Sequence, residues 1–247
     1  MIQAQSANLS FSHAGTVHPV LRDITFQIEP QSSCAIIGPS GCGKTSLLFL
    51  LAGLLQPDSG TIAITGQPRS GTILQNFGLF PWKTVNQNIG LGLVLKGVDK
   101  KLIRAKVEQL LTEMGLTGFG GHYPGQLSGG MQQRVAMARA LAIDPQVLFM
   151  DEPLSSLDAL TRERLQNLIQ EIRVQKKITM VLVTHAIEEA VFLGHRIIVL
   201  SGRPGRVLRI VENPEAGSAD YRQSDIFFHR CVELREILKG EDYGQET

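Results

Sequence analysis

Along the first third of the chain, apolar positions recur with a period of two. Residues 21–28 and 60–65 alternate apolar and polar side chains, as strands with one buried face do. Cys34 to Ile37 is instead a short unbroken apolar run ending at a glycine-rich loop, which predicts a buried strand. Thr45 to Leu55 predicts a helix, closed by the turn-forming run Gln56-Pro57-Asp58-Ser59-Gly60. The period then lengthens. Val98, Leu102, Val107, Leu110, Leu111 and Met114 recur at helical spacing, and Val135, Ala138 and Leu141 do so within 130–142. Strand signals return at 147–150, 179–183 and 197–200. A helix over 160–174 carries Leu165, Leu168, Ile169 and Ile172 on one face. Apolar strands alternating with helices predict an α/β fold, with a parallel sheet covered on both faces and a helical block inserted between strand-rich blocks. The tail after Pro204 reads as turn-rich. It ends in an amphipathic helix near 225–239, with Phe227, Cys231, Leu234 and Leu238 on its stripe.

Composition narrows the function classes. The 247 residues allow one large or two small domains. A formal net charge of +1 gives no sign of a basic face tracking a phosphate backbone, so nucleic acid is not expected as a partner. The cysteines, at 34, 42 and 231, are odd in number and fit no zinc spacing, which suggests a reducing compartment. The start, MIQAQSANLS, lacks the basic and apolar regions of a signal peptide. The most apolar run, LLFLLAGLL at 47–55, is far short of the roughly 20 residues that span a bilayer. Any membrane role would be that of a peripheral subunit.

Gly38-Pro39-Ser40-Gly41-Cys42-Gly43-Lys44-Thr45, followed by Ser46, fits G-x-x-x-x-G-K-[ST] between a strand and a helix. Triphosphate packs several negative charges into a small volume. Glycines let backbone N–H groups approach it, and the helix start adds partial positive charge. Lys44 is placed to reach the β- and γ-phosphates, and Thr45 to put its hydroxyl on Mg2+. Cys42 is either a small residue that suits the loop or, near a helix N-terminus, a thiol of raised reactivity. Further on, Val147-Leu148-Phe149-Met150-Asp151-Glu152 is an apolar strand ending in two carboxylates. Ligands of parallel sheets sit at the carboxyl ends of strands. Asp151 therefore suits the Mg2+ shell through water, and Glu152 suits polarising a water in line with the γ-phosphate.

These two motifs indicate a P-loop nucleotide hydrolase. Leu127-Ser128-Gly129-Gly130-Met131 narrows the class, because it resembles the LSGGQ signature of ATP-binding-cassette proteins, with Met131 in the last position. A serine and two glycines at a helix start make a second anion site, which one chain does not need for one γ-phosphate. The resemblance implies an ATP-dependent homodimer in which Ser128 and Gly130 of one copy grip the nucleotide of the other. Further elements follow the cassette order. Gln75 resembles the Q-loop glutamine, a contact for Mg2+ and water that also senses the transmembrane partner. Ser156-Leu157-Asp158 resembles the D-loop, with Ser156 where alanine is common, and it places Asp158 near the nucleotide. His185 resembles the switch histidine on the γ-phosphate. For the adenine ring, His13 stands where the family often has tyrosine. Phe11 is the alternative, although its alternation with Leu9 suggests a core position.

The resemblance, covering about residues 6–202, implies a single nucleotide-binding domain over 1–247. It has an ATP-binding core from 1–75 and 143–202 with an N-terminal antiparallel β subdomain, a helical subdomain at 76–142, and a tail at 203–247. The stretch 46–127 has no sustained heptads, unlike the DNA-repair cassettes, and one cassette opposes the ribosomal class. The transporter reading remains, with a soluble non-transport ATPase as the alternative. Phe77-Gly78-Leu79-Phe80-Pro81-Trp82-Lys83-Thr84-Val85 and Arg203-Pro204-Gly205-Arg206 resemble segments of the ATPases that serve nitrate, sulfonate and taurine uptake. That implies a separate transmembrane permease and, indirectly, an extracytoplasmic solute-binding protein. Relatives of this group also carry other small organic solutes, which leaves the cargo open. Phe80 and Trp82 are either buried packing for the helical block or part of a groove for a permease helix. The lysines and arginine at 96, 100, 101, 104 and 106 read as a solvated helix face, with anionic lipid as the other possibility. The 66–72 connection is shorter than usual for the family.

Overall fold

The computed structural model describes residues 1–13, 15–155, 157–218 and 220–242. Strands β1 (Ile2–His13) and β2 (Thr16–Ile28) form a long antiparallel pair, and β4 (Ser59–Ile64) joins the other edge of β1 in the order β2-β1-β4. Ile2, Ala4, Ala7 and Leu9 turn inward toward Leu21, Ile24, Phe26 and Ile28. The inward parity is not constant, because the register slips between Ala4 and Ala7, between Ala7 and Leu9, and again between Leu9 and Ser10. Beyond the last slip the pair leaves the core. Phe11 is 45% exposed, so its alternation with Leu9 does not make it a core residue.

The second sheet combines β3 (Ser33–Ile37), β5 (Ser70–Ile73), β6 (Val147–Asp151), β7 (Thr179–Val183), β8 (Arg196–Leu200) and β9 (Val207–Glu212). Their order is β5-β6-β7-β3-β8-β9, and all pairings are parallel except that of β9 with β8. The unbroken apolar runs of the central strands are explained by two cores, one on each face. Ala35 and Ile37 enter one core, while Cys34 and Ile36 enter the other. Leu148 and Met150 of β6 likewise oppose Val147 and Phe149. One core fills the space to the antiparallel sheet around α1 (Lys44–Leu51). The other receives α2 (Val85–Leu95), α3 (Lys100–Glu113), α4 (Gly129–Leu141), α5 (Ala159–Lys176), α6 (Ile187–Leu193) and α7 (Asp225–Asp242).

Each inserted helix has its own start signal. Thr84 and Gln87 form a reciprocal capping box on α2, the Asp99 carboxylate caps α3, and Ser128 caps α4. Several details depart from the sequence pattern. Helix α1 ends at Leu51 rather than Leu55, as the chain turns through Gly53 at φ 72°. Leu102 is 64% exposed, and Ile103 takes its place beside Val107 and Leu110. The tail is not only turns. Strand β9 extends the central sheet, and only Val211 of that strand is buried, which hid it from periodicity. Among the described residues, no helix is long and apolar enough to cross a membrane.

Candidate functional site

Strands β6, β7 and β3 are adjacent and parallel, so their carboxyl ends fall at one edge. The 38–43 loop leaves β3 there, Asp151 ends β6, and β7 runs on to Thr184 and His185. Gly41 and Gly43 sit at φ 75° and 100°, the left-handed region that glycine enters without strain. A Cβ on Gly43 would also lie 2.9 Å from Val20 and Leu21. Gly38 and Pro39 are half-buried, Gly41 is exposed, and Ser46 lies one residue past the loop's Thr45. Ser40 stands at the loop's outer bend. Lys44 is buried, and its Nζ donates to the carbonyls of Gly38 and Pro39 at 2.9 Å each. The ammonium is thus held inside the loop that would surround the phosphates. Cys42 is fully buried, and burial pushes its thiol pKa up against the opposing pull of Lys44. Of its two readings, the reactive thiol is therefore set aside, and Cys42 is an inert packing residue.

Thr45 Oγ1 donates to Asp151 Oδ1 at 3.0 Å. Burial raises the Asp151 pKa, the Thr45 bond lowers it, Glu152 raises it and Lys44 lowers it. Glu152 follows at φ 45°, a left-handed conformation unusual for glutamate, with its N–H donating to Val183 O at 2.9 Å. One carboxylate oxygen, Oε2, receives Gln75 Nε2 at 3.1 Å and lies 3.3 Å from His185 Nδ1. Lys44, Thr45, Gln75, Asp151, Glu152 and His185 therefore converge at one sheet edge from four segments of the chain.

The signature residues form a second cluster. Ser128 is exposed, and its Oγ accepts the Met131 N–H at 3.3 Å. Gly130 is buried, and a Cβ there would approach Thr161 at 3.1 Å and Leu157 at 3.6 Å. Asp158 caps α5 by accepting the Thr161 N–H at 3.0 Å, and its bonds from Thr161 hold its pKa below the usual carboxylate range. Ser156 lies outside the described residues. The hydrogen bonds of Ser128 and Asp158 are to their own helices, not to the cradle. His13 and Phe11 are both exposed near the end of β1, and Phe11 lies opposite His18. Trp82 is 70% exposed beside Phe80, with ring centroids 5.5 Å apart, so buried packing does not account for it.

Two supporting contacts escaped the sequence, although Gly205 was already marked within the 203–206 segment. Gln133 is buried, and its Nε2 donates to Pro153 O, tying α4 to the segment after Glu152. Its only sequence signal is a polar residue at a buried helical position. Gly205 accepts from Arg22 N–H at 2.9 Å and donates to Val20 O at 2.8 Å. A Cβ on Gly205 would fall 2.3 Å from Cys42 O, so the 203–206 segment floors the cradle.

The family model described as ABC transporter matches residues 21–155. The chain belongs to the ABC transporter family. The taurine import ATP-binding protein TauB of Pelagibacter ubique (strain HTCC1062) is 45% identical over 212 residues, covering 83% of this chain and 80% of that protein. The aliphatic sulfonates import ATP-binding protein SsuB of Bacillus anthracis is 45% identical over 209 residues, covering 82% of this chain and 82% of that protein. Among solved structures, the dimeric post-hydrolysis state of the ATP-binding cassette MJ0796 bound to ADP and Pi matches with a TM-score of 0.78. It is 29% identical and covers 86% of this chain and 98% of that one. As an ABC transporter ATP-binding chain, the molecule has its cradle on the central sheet and its signature serine at the start of α4.

Proposed function

We propose that this chain is the ATP-hydrolysing motor subunit of an importer for taurine- or sulfonate-like solutes, working as a homodimer beneath a separate permease. The observation that carries the hydrolytic reading is the convergence of Lys44, Thr45, Asp151, Glu152, Gln75 and His185 at one edge. The identities of about 45% to taurine and sulfonate import proteins support the cargo class.

Backbone N–H groups of 38–45 bind the phosphates, and Lys44 turns from the loop carbonyls to the β- and γ-oxygens. Glu152 accepts a hydrogen bond from the attacking water and orients it, while His185 contacts the γ-phosphate and Gln75 positions the Glu152 carboxylate. Thr45 Oγ1 and Asp151 Oδ1, 3.0 Å apart, form a hard oxygen donor set that suits Mg2+, with Gln75 nearby. When bound, that ion supplies neutralisation of phosphate charge. Ser128 and Gly130 of one copy close on the nucleotide of the other, with Asp158 at the same seam. His13 or Phe11 stacks on the base. ATP shifts the pair toward the closed state by binding it better than the open one.

The permease helix would meet the exposed Trp82 and a cavity of about 550 Å3 between α2 and α3, lined by Lys83, Leu91, Val94, Ile103 and Arg104. An apolar groove with a basic rim fits an amphipathic helix carrying acidic residues. The chain is then peripheral, at the cytoplasmic face of the inner membrane. The test is size-exclusion chromatography of Glu152→Gln with and without Mg-ATP, beside a turnover assay. A nucleotide-dependent dimer and turnover reduced by about 100-fold or more are expected. Normal turnover removes Glu152 from its role, and a persistent monomer that still binds ATP removes the two-chain site.

A further inference from the structure

Glu189, on α6, is an acid with no part in the phosphate machinery described above. It is 3% exposed, and its Oε2 accepts the Thr184 hydroxyl at 2.5 Å. Its Oε1 is buried and has no hydrogen-bond partner among the described residues. Burying a half-satisfied carboxyl is costly, and here burial pushes its pKa up to about 7. Packing does not call for an acid, because Ala190, Val191, Phe192 and Leu193 already fill the core on this helix.

What Glu189 secures is a turn. Thr184 is almost fully buried and makes three bonds. Its N–H donates to Ile36 O at 3.2 Å, its Oγ1 accepts the Ala186 N–H at 3.0 Å, and its hydroxyl proton goes to Glu189. His185 lies between these two anchored residues. Its side chain is largely exposed, so little packing fixes the imidazole, and the backbone of 184–186 must aim it at Glu152.

We infer that Glu189 is a positioning residue for His185, acting through the Thr184 hydroxyl. The inference rests on the phosphate-contact role given to His185 above.

The variants Glu189→Ala, Glu189→Gln, Thr184→Val, Thr184→Ser and His185→Ala test it. Three quantities are read: turnover at saturating Mg-ATP, ATP affinity, and the His185 imidazole resonance, assigned by its loss in His185→Ala. Glu189→Ala and Thr184→Val should lower turnover about tenfold or more while ATP affinity stays within about twofold, and should shift the His185 resonance. Glu189→Gln and Thr184→Ser keep an acceptor and a donor in place, so both should restore turnover and resonance. Thermal melts separate misfolding from misplacement. If Glu189→Ala does not fold, the Thr184 pair, which differs in the hydroxyl, still decides. Unchanged turnover and resonance in Thr184→Val, or Glu189→Gln as impaired as Glu189→Ala, overturns the positioning role. His185→Ala with wild-type turnover would instead remove His185 from the mechanism, and the resonance alone would then judge the tether.

Discussion

The cradle corner and the signature corner, proposed to grip the same phosphates from two copies, have opposite construction. At the cradle, Thr45, Asp151, Glu152, Gln75 and His185 are tied together across separate segments, while Lys44 is held by the carbonyls of its own loop. At the signature, Ser128 and Asp158 spend their side chains capping their own helices, and Ser128 faces solvent. A site that is complete within a chain is held by cross-links from remote segments. The surface offered to another copy fixes Ser128 and Asp158 by local caps, with α4 tied to Pro153 through Gln133 behind them. The contrast predicts which substitutions harm binding and which harm assembly.

Lys44→Ala should have the largest effect. It removes a buried cation from the phosphate loop, and isothermal titration should show ATP affinity falling by about 100-fold, on the order of 3 kcal/mol. Retained affinity would break the comparison at its stronger end. Ser128→Ala should leave affinity in the single chain within about twofold while weakening the ATP-driven dimer, as read by light scattering. The lost cap should also cost about 1 kcal/mol in stability. Equal loss of both properties would mean the two corners are not separate. Glu189→Gln sharpens the picture through pH. The folded-state pKa of Glu189, about 7, lies above its ordinary 4.5, so the acid's contribution is fully present below 4.5 and is lost as pH rises through 7. The variant should therefore gain melting temperature over the wild type at pH 8, and the gap should shrink toward pH 4.5. A gap independent of pH would show that Glu189 does not titrate there. The smallest effect belongs to Leu102→Ala, expected within about 0.5 kcal/mol in denaturant unfolding because the side chain is exposed. A loss of about 2 kcal/mol or more, the cost of a core leucine, would restore Leu102 to the helical core.

The cradle was legible because its chemistry is contiguous: its residues carry their own turn, charge and hydroxyl. Asp151 and Glu152 were legible because an apolar strand announced its own end. The supports were not. Gly205 acts on Cys42 from far along the chain, and Gln133 reaches Pro153 from another helix. The resemblance marked the 203–206 segment but not the contact its glycine makes, and nothing local distinguishes such a glutamine from any other. Periodicity also failed where geometry broke its phase. Register slips in β1 released Phe11 to solvent, and the one-residue difference between Leu102 and Ile103 chose which side chain faced the core. The motif alone could not decide between the two readings of Cys42, because the groups that enclose that corner, Leu200 and Gly205, lie outside it.

The strand that launches the cradle also dates the site's assembly. Strand β3 is made early, yet both its sheet neighbours come late: Ser33 pairs with Met180, and Cys34 with Arg196. The floor residue, Gly205, comes later still. A growing chain on the ribosome thus carries residues 38–45 well before the strands that flank β3 have been made. Such long-range pairing is slow to form. The loop's strand can take its place in the sheet only after residues 180–199 have been translated.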